Sequence, residues 1–337
     1  MTPTDLRRHV TPLAESAAGT VLLTGAAGFI GSHLADRLLA EGHHVVGVDN
    51  FLTGRRANLQ HLAREPRFDL IEHDISQPLQ LAGRFDWVMH FASPASPPKY
   101  LAMPLQTLHA NAHGTHALLE FARSRGAAFF LASTSEVYGD ALVHPQAEDY
   151  WGNVNCIGPR SVYDESKRYA EALTMCYRRE YRQPVRIIRI FNTYGPRMDA
   201  FDGRVVTNFV RQGLAGEALT VYGDGSQTRS LQHIDDLLEA IMRLLRTDHQ
   251  APLNLGNPDE ISVLELAHLI AELTTGRSAN IVFEPLPTDD PKQRCPDIRR
   301  AGEILHWAPA IPLAQGLADV VAYCKRTFAP RTSGSLG

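Results

Sequence analysis

The sequence predicts a doubly wound, mostly parallel α/β sheet of the Rossmann type carrying a smaller mixed α/β carboxyl-terminal lobe. Residues 20–49 read as strand, glycine turn, helix and strand. Short apolar runs and helical patterns keep alternating as far as Asn192. Beyond that point the rhythm breaks into glycine, proline, short strands and scattered helices.

The first strand is TVLLT, stopped by Gly25. Ile30, Leu34, Leu38 and Leu39 then fall on one side of a helix, and HVVGVD forms a second strand ending at Asp49. Strand, helix and strand in that order form a βαβ unit, for which parallel pairing is the default. Further strands are expected at 68–72, 87–92, 128–133 and 185–190, with helices at about 107–124 and 166–181. In the second part LTVYG at 219–223 reads as a strand, and helices are expected at about 204–214, 235–246, 262–274 and 314–326.

Composition narrows the function classes. The 337 residues are 44% hydrophobic and 21% charged, enough for a sizeable core. Thirty-three basic residues against 37 acidic ones give a net charge of -4, which disfavours nucleic acid as a partner and requires local arginines for any anionic substrate. The four cysteines, Cys156, Cys176, Cys295 and Cys324, have neither metal-ligand spacing nor the density of a disulfide framework, so reduced thiols and no metal site are expected. The opening segment lacks a signal-peptide core, and no window approaches the roughly 18 apolar residues of a membrane span, so a cytoplasmic protein without membrane attachment is expected.

Gly25, Gly28 and Gly31 sit between a strand and a helix. The first suits a tight turn, the second lets a pyrophosphate approach the backbone and the third allows close helix packing. The N–H groups opening the helix then face the negative charge. Glycines alone fit a purely structural turn equally well. Asp49 shifts the balance, because a carboxylate closing the second strand accepts the ribose hydroxyls of NAD and repels a 2'-phosphate. Arg55 and Arg56 nearby keep NADP open. Phe29 and Ile30 beside the glycines, Asn50 after Asp49, and Asp74 with Ile75 complete the expected cofactor surface. Asp74 serves either as an adenine-edge acceptor or as a surface turn residue.

Tyr163 and Lys167 share a helical face at i,i+4 spacing. A free tyrosine, with a pKa of about 10, is a poor base at neutral pH, and a close ammonium favours its phenolate. The same spacing also describes an ordinary solvated pair. Placement favours chemistry: Tyr163 follows the strand-end segment Ser133, Thr134, Ser135 and Glu136, whose hydroxyls suit a reacting alcohol and whose carboxylate suits acid/base work. S-T-S-E is equally a capping pattern.

GAAGFIG, HFASPASPPKY, STSEVYGD, YDESK, RIFNTYGPR, DGRVVTNFV and LTVYGDGSQTRSLQHIDDL together resemble the extended short-chain dehydrogenase/reductases, and most closely their UDP-glucuronate decarboxylases. The resemblance runs from about Val21 to Cys324. It implies a transient 4-keto sugar, internally recycled NAD, and a catalytic set of Thr134, Ser135, Glu136, Tyr163, Lys167 and Arg294. Dehydratases of the group carry Thr-Asp-Glu at the strand end and 4-epimerases lack the acid, so Thr134-Ser135-Glu136 is the decarboxylase arrangement. Ser166 and Cys156 depart from the commoner YDEGK and NPIGPR forms without removing a group essential to the reaction.

For a UDP-glucuronate or related UDP-sugar substrate, the resemblance points to Arg229 and Arg294 as anion partners and Arg204 at the nucleotide side. Asn192, Asn208 and Tyr222 occupy nucleotide-contact positions, and Tyr100 lies on a loop expected to reach the sugar. The domain expectation is a flexible lead-in at 1–18, an NAD-binding domain at 19–192, a mainly substrate-binding lobe at 193–328 from which 235–256 returns to the first domain, and a flexible tail at 329–337. Homodimers packing helices 107–124 and 166–181 are expected by resemblance. The alternatives are a UDP-sugar 4-epimerase or 4,6-dehydratase, or a non-catalytic NAD-sensing interaction protein.

Overall fold

The computed structural model describes residues 18–286 and 293–327. The expected tail and nearly all of the expected lead-in lie outside these residues.

The chain opens with β1 (Thr20–Thr24), α1 (Phe29–Ala40), β2 (His44–Asp49), β3 (Phe68–Glu72) and β4 (Trp87–His90). The short helices α2 (Pro97–Ala102) and α3 (Pro104–His109) follow, and α3 runs through a π-turn at Ala110–Gly114 into α4 (Thr115–Arg125). The first part ends with β5 (Ala128–Thr134), α5 (Ser161–Tyr181) and β6 (Val185–Ile190). Prolines in the first turns of α2 and α3 suit those positions, where a helix has no use for the missing N–H.

After β6 come β7 (Thr193–Tyr194), α6 (Val205–Ala215), β8 (Leu219–Tyr222), β9 (Thr228–Ser230), β10 (Gln232–His233), α7 (Ile234–Leu245) and β11 (Pro252–Leu255). The described chain finishes with β12 (Glu260–Ser262), α8 (Val263–Thr275), β13 (Ile281–Glu284), α9 (Arg299–Leu305) and α10 (Leu313–Thr327).

Seven strands form one parallel sheet in the order β11-β6-β5-β4-β1-β2-β3. Strand order reverses between β1 and β4, so a crevice opens beyond their carboxyl ends, the usual ligand position in such sheets. The central strands β1, β4 and β5 are buried almost throughout, consistent with helices on both faces. One face packs Leu34 and Leu38 of α1 with Leu237, Ile241 and Leu244 of α7. The other packs Leu118, Leu119 and Phe121 of α4 with Ala170 and Tyr177 of α5. A separate core in the smaller lobe joins Phe209 and Val210 of α6, Leu266 and Ile270 of α8, and Leu317 and Val321 of α10.

β11 is an edge strand of the main sheet, with Leu253 opposite Ile188 and Leu255 opposite Ile190 of β6. The smaller lobe carries the short pairs β8 with β13 and β9 with β12.

Helix α5 differs from its expected start, beginning at Ser161 rather than 166. Ser161, Tyr163 and Asp164 lack the apolar periodicity that marks a helix in sequence, so the first turn is held by its surroundings instead. Leu237 is fully buried in the α1–α7 core. Leu237→Ala is expected to destabilise the protein by about 2–5 kcal/mol, read as a lowered denaturant midpoint with an unchanged slope.

Candidate active site

A cavity of about 550 Å³ runs along the carboxyl ends of the central strands and under the smaller lobe. Its wall includes Gly25, Gly28, Phe29, Ile30 and Gly31 at one end, Thr134, Ser135, Glu136, Tyr163, Lys167 and Arg294 in the middle, and Tyr222 and Arg229 beyond. The structure thus joins on one surface three sequence segments read separately.

At the glycine end, Gly25 has φ +72° and receives no side-chain penalty there. A Cβ on Gly31 would overlap the Gly25 carbonyl oxygen, so α1 meets the turn without room for a methyl group. The opening amides of α1 lack intrahelical acceptors, as every helix start does. Asp49 is buried at the end of β2, where Ala27 N–H donates to Oδ2 and Phe51 N–H to Oδ1, both at 2.8 Å. Burial raises its carboxyl above the ordinary aspartate value in spite of both donors. Asn50 donates to Asp74 at 3.3 Å across the ends of β2 and β3. Burial works to raise Asp74, but hydrogen bonds from Ser76 and Asn50 outweigh it and hold the carboxyl low. Ile75 is a core residue against the π-turn glycine Gly114. A cradle closed to side chains and a fixed carboxylate on the neighbouring strand fit a dinucleotide.

In the middle of the cavity, β5 delivers Thr134 and a short 3₁₀ turn delivers Ser135 and Glu136. The Thr134 hydroxyl accepts from Glu136 N–H at 3.2 Å, which caps that turn and leaves Thr134 in side-chain contact with the Tyr163 phenol. Capping and active-site placement, alternatives in the sequence, coexist. Ser133 also lines the cavity, but its hydroxyl is committed to Glu171, to which it donates at 2.6 Å.

Tyr163 and Lys167 lie on the first turns of α5, with the ammonium 5.8 Å from the phenol ring centroid. Lys167 donates to the Ala132 carbonyl at 3.0 Å. Burial pushes the lysine down to about 7 against the opposing pull of Glu171. Burial, followed by the Glu136 charge, raises the phenol well above the ordinary tyrosine range, although Arg204 and Thr134 pull the other way. The expected phenolate stabilised by a close ammonium is therefore not what the protein alone provides, because desolvation disfavours both charges.

Glu136 is the most heavily contacted acid in the cavity. Arg160 donates to its Oε2 at 2.7 Å, the Tyr100 hydroxyl donates to the same oxygen at 3.1 Å, and Arg294 stands 3.6 Å from Oε1. Burial alone would raise the carboxyl, but the two guanidiniums outweigh it and hold Glu136 below the usual glutamate value. Arg294 reaches this position because Gln146 clasps its loop: Gln146 N–H donates to the Cys295 carbonyl, and Cys295 N–H donates to the Gln146 side chain, each at 2.9 Å.

Tyr100 corrects the sequence expectation. It lies in helix α2, fully buried, with its ring stacked on Tyr163 at 5.0 Å and its hydroxyl turned to Glu136. The prolines of SPPKY start a helix there instead of extending a loop. It supports two active-site side chains and does not line the cavity.

Arg204 donates to the Ala95 carbonyl at 2.8 Å and pairs with Asp202 at 3.1 Å, while Arg229 donates to the Thr228 carbonyl at 2.8 Å. Asn208 donates to the Gly203 carbonyl at 3.1 Å, and Asn192 and the half-exposed Tyr222 complete this end of the cavity. Sequence reasoning passed over Arg160 and Asp164. Arg160 directly precedes α5 after Pro159, a helix-start signal, whereas Asp164 is a neighbour of Tyr163 whose burial no local pattern reveals.

The comparisons with known proteins agree with this geometry. The family model described as GDP-mannose 4,6 dehydratase matches residues 22–320. UDP-glucuronic acid decarboxylase 1 of Danio rerio is 50% identical over 314 residues, 93% of this chain and 74% of that protein. UDP-glucuronic acid decarboxylase 2 of Arabidopsis thaliana is 53% identical over 316 residues, 94% of this chain and 70% of its own length. The chain belongs to the UDP-glucuronic acid decarboxylase family.

Among solved structures, the UDP-glucuronic acid 4-epimerase of Bacillus cereus in complex with UDP-glucuronic acid and NAD is similar with a TM-score of 0.79 and 29% identity. The alignment covers 92% of this chain and all of the epimerase. The decarboxylase family and this epimerase thus share one architecture, and side chains at the cavity must separate their chemistries. Gly31→Ala tests the glycine end: loss of about 1–3 kcal/mol of NAD binding, about fivefold to 150-fold in Kd, is expected by equilibrium dialysis.

Proposed function

We propose that the protein converts UDP-glucuronate to UDP-xylose and CO2 through a 4-keto sugar, using tightly held NAD that is restored each turn. The observation that carries this reading is Glu136 between Arg160 and Arg294, beside Thr134, Ser135 and Tyr163, in a chain whose close relatives bear the decarboxylase name. Serine at position 135 leaves no aspartic acid there to expel a 6-hydroxyl, which disfavours a dehydratase.

The chemistry explains why a redox cofactor serves a decarboxylase. Direct loss of CO2 from C5 would leave an unstabilised carbanion. A ketone at C4 makes the substrate a β-keto acid, whose C5–carboxyl electrons flow into an enolate. Bound NAD supplies the acceptor for the C4 hydride and later returns it. Tyr163, as the phenolate, takes the C4 hydroxyl proton and becomes the neutral phenol, Thr134 aligns that oxygen, and the Lys167 ammonium lowers the cost of the phenolate that must form before the transfer. Glu136, with Ser135 and Arg294, organises the water that reprotonates C5.

For the substrate's charged groups we assign Arg204 and Arg229 to the nucleotide side and Arg294 to the reacting end, since planar guanidiniums suit phosphate and carboxylate oxygens. Asn192 and Asn208 complete the nucleotide contacts, and Tyr222 presents an aromatic surface to the base. Gly25, Gly28, Phe29, Ile30 and Gly31 hold the pyrophosphate, Asp49 and Asn50 the ribose, and Asp74 and Ile75 the adenine end.

We assign 19–192 to the cofactor and 193–328 mainly to the substrate, with 235–256 serving the first domain. No helix among the described residues is long and apolar enough to cross a membrane. Cytoplasmic residence is proposed, testable by fractionation, as is a homodimer through α4 and α5, where Tyr169 and Tyr181 are exposed. Sedimentation at several concentrations is expected to give twice the chain mass, and a concentration-independent monomer would exclude the dimer.

Purified protein incubated with UDP-glucuronate is expected to release one CO2 per UDP-xylose; a product retaining all six sugar carbons sinks the assignment. Tyr163→Phe is expected to keep NAD bound but lower kcat by about 10²–10⁴-fold. Unchanged turnover would remove Tyr163 as the base.

A further inference from the structure

We infer that Asp164 holds, behind the cavity wall, the proton that Glu136 passes towards C5 after CO2 departs. The inference rests on the decarboxylase reading and names the proton store that the reaction needs.

Glu136 lines the cavity and Asp164 does not. Both are buried at 7% exposure, and their carboxyl groups are in side-chain hydrogen-bonding contact. Two ionised carboxylates have no hydrogen to share, so such a contact requires a proton on one of them. The surroundings decide which. Arg160 at 2.7 Å, the Tyr100 hydroxyl at 3.1 Å and Arg294 at 3.6 Å all favour an ionised Glu136. Asp164 has no direct cationic partner of comparable closeness among the described ion pairs, and its Oδ1 is buried without a hydrogen-bond partner.

The groups facing this pair are Arg160 before α5, Arg294 from the loop clasped by Gln146, Tyr100 from α2 and Tyr163 on α5 itself. The phenols remain neutral and the guanidiniums charged across neutral pH. Burial first, and the Glu136 charge second, raise Asp164 to about 8. Of the two carboxyls, Asp164 is therefore the one whose surroundings favour the shared proton, against the weaker opposing pull of Arg160 and Arg294.

The reaction consumes that proton. When the C5–carboxyl bond breaks, CO2 leaves and the electron pair enters the enolate of the C4 ketone. A new C5–H bond then forms from that pair and a proton delivered by Glu136 or the water it holds. That proton comes from Asp164, which passes it to the ionised Glu136 before delivery; afterwards both carboxylates are ionised, and their repulsion draws one proton back from solvent onto Asp164. One proton enters for each CO2 released, as conversion of a carboxylate into a C–H bond demands. Asp164 acts through Glu136 and is a positioning and proton-storing residue.

Asp164→Asn keeps the size and an N–H donor towards Glu136 but has no acidic proton to give. Wild type and variant holoenzymes are compared with UDP-glucuronate between about pH 6 and pH 10. Wild-type kcat for UDP-xylose is expected to fall as pH rises through about 8, because the proton-bearing form disappears. The variant is expected to lose that alkaline limb, to turn over about 10²–10⁴-fold more slowly at neutral pH, and to release CO2 ahead of UDP-xylose in a single turnover. Infrared difference spectra should contain the C=O stretch of a protonated carboxyl at neutral pH in the wild type and lack it in Asp164→Asn. Absence of that band from the wild type, or a variant retaining both the alkaline limb and nearly full kcat, overturns the inference. A wild-type protein that binds UDP-glucuronate but forms no CO2 overturns instead the decarboxylase reading, whatever the infrared band shows.

Discussion

A buried negative charge at Glu136 organises the active site. Removing a carboxylate from water costs several kcal/mol unless cations and hydrogen bonds replace the lost solvation. Here the replacement comes from parts of the chain far apart in sequence: Arg160 before α5, Tyr100 in α2 and Arg294 beyond β13. Breaking any one contact would leave the others facing an undercompensated charge. The site is consequently assembled as a unit, and the Gln146 clasp on the Arg294 loop belongs to it as much as the residues that line the cavity.

The same exclusion of water that strengthens these contacts also governs the Tyr163–Lys167 pair. Burial lifts the phenol and lowers the lysine, so both groups favour their uncharged forms. Proximity of a cation to a phenol is insufficient for activation when the cation itself is desolvated. Thr134 and Arg204 supply the opposing influences on Tyr163, which ties strand β5 and the smaller lobe to the state of one hydroxyl.

Much of the architecture was legible because it depends on repeating local patterns. The apolar run of β1, the glycine turn and the amphipathic face of α1 all point to the same unit, and Asp49 closes it at the expected strand end. Thr134, Ser135, Glu136, Tyr163 and Lys167 are gathered in one cavity, as their placement suggested. Tyr100 was misread because its local proline-rich context suits a loop as well as a helix start, and only packing against Tyr163 resolves the two. Arg160 and Asp164 were missed for a related reason: their importance arises from Glu136, 24 and 28 positions away, and not from any periodicity of their own.

The path of the chain has a mechanical consequence. It leaves the main sheet after β6, comes back through α7 and β11, departs again at β12, and returns to touch the sheet side through the Gln146–Pro296 bridge and α9 before ending on the smaller lobe with α10. Bodies stitched together by so many crossings lack the single pivot of a clamshell. Opening one over the other would bend several tethers at once, so passage of a sugar nucleotide is better served by local adjustment of the mouth than by a wide swing, and a dinucleotide seated deeper in the crevice can stay behind while smaller molecules come and go.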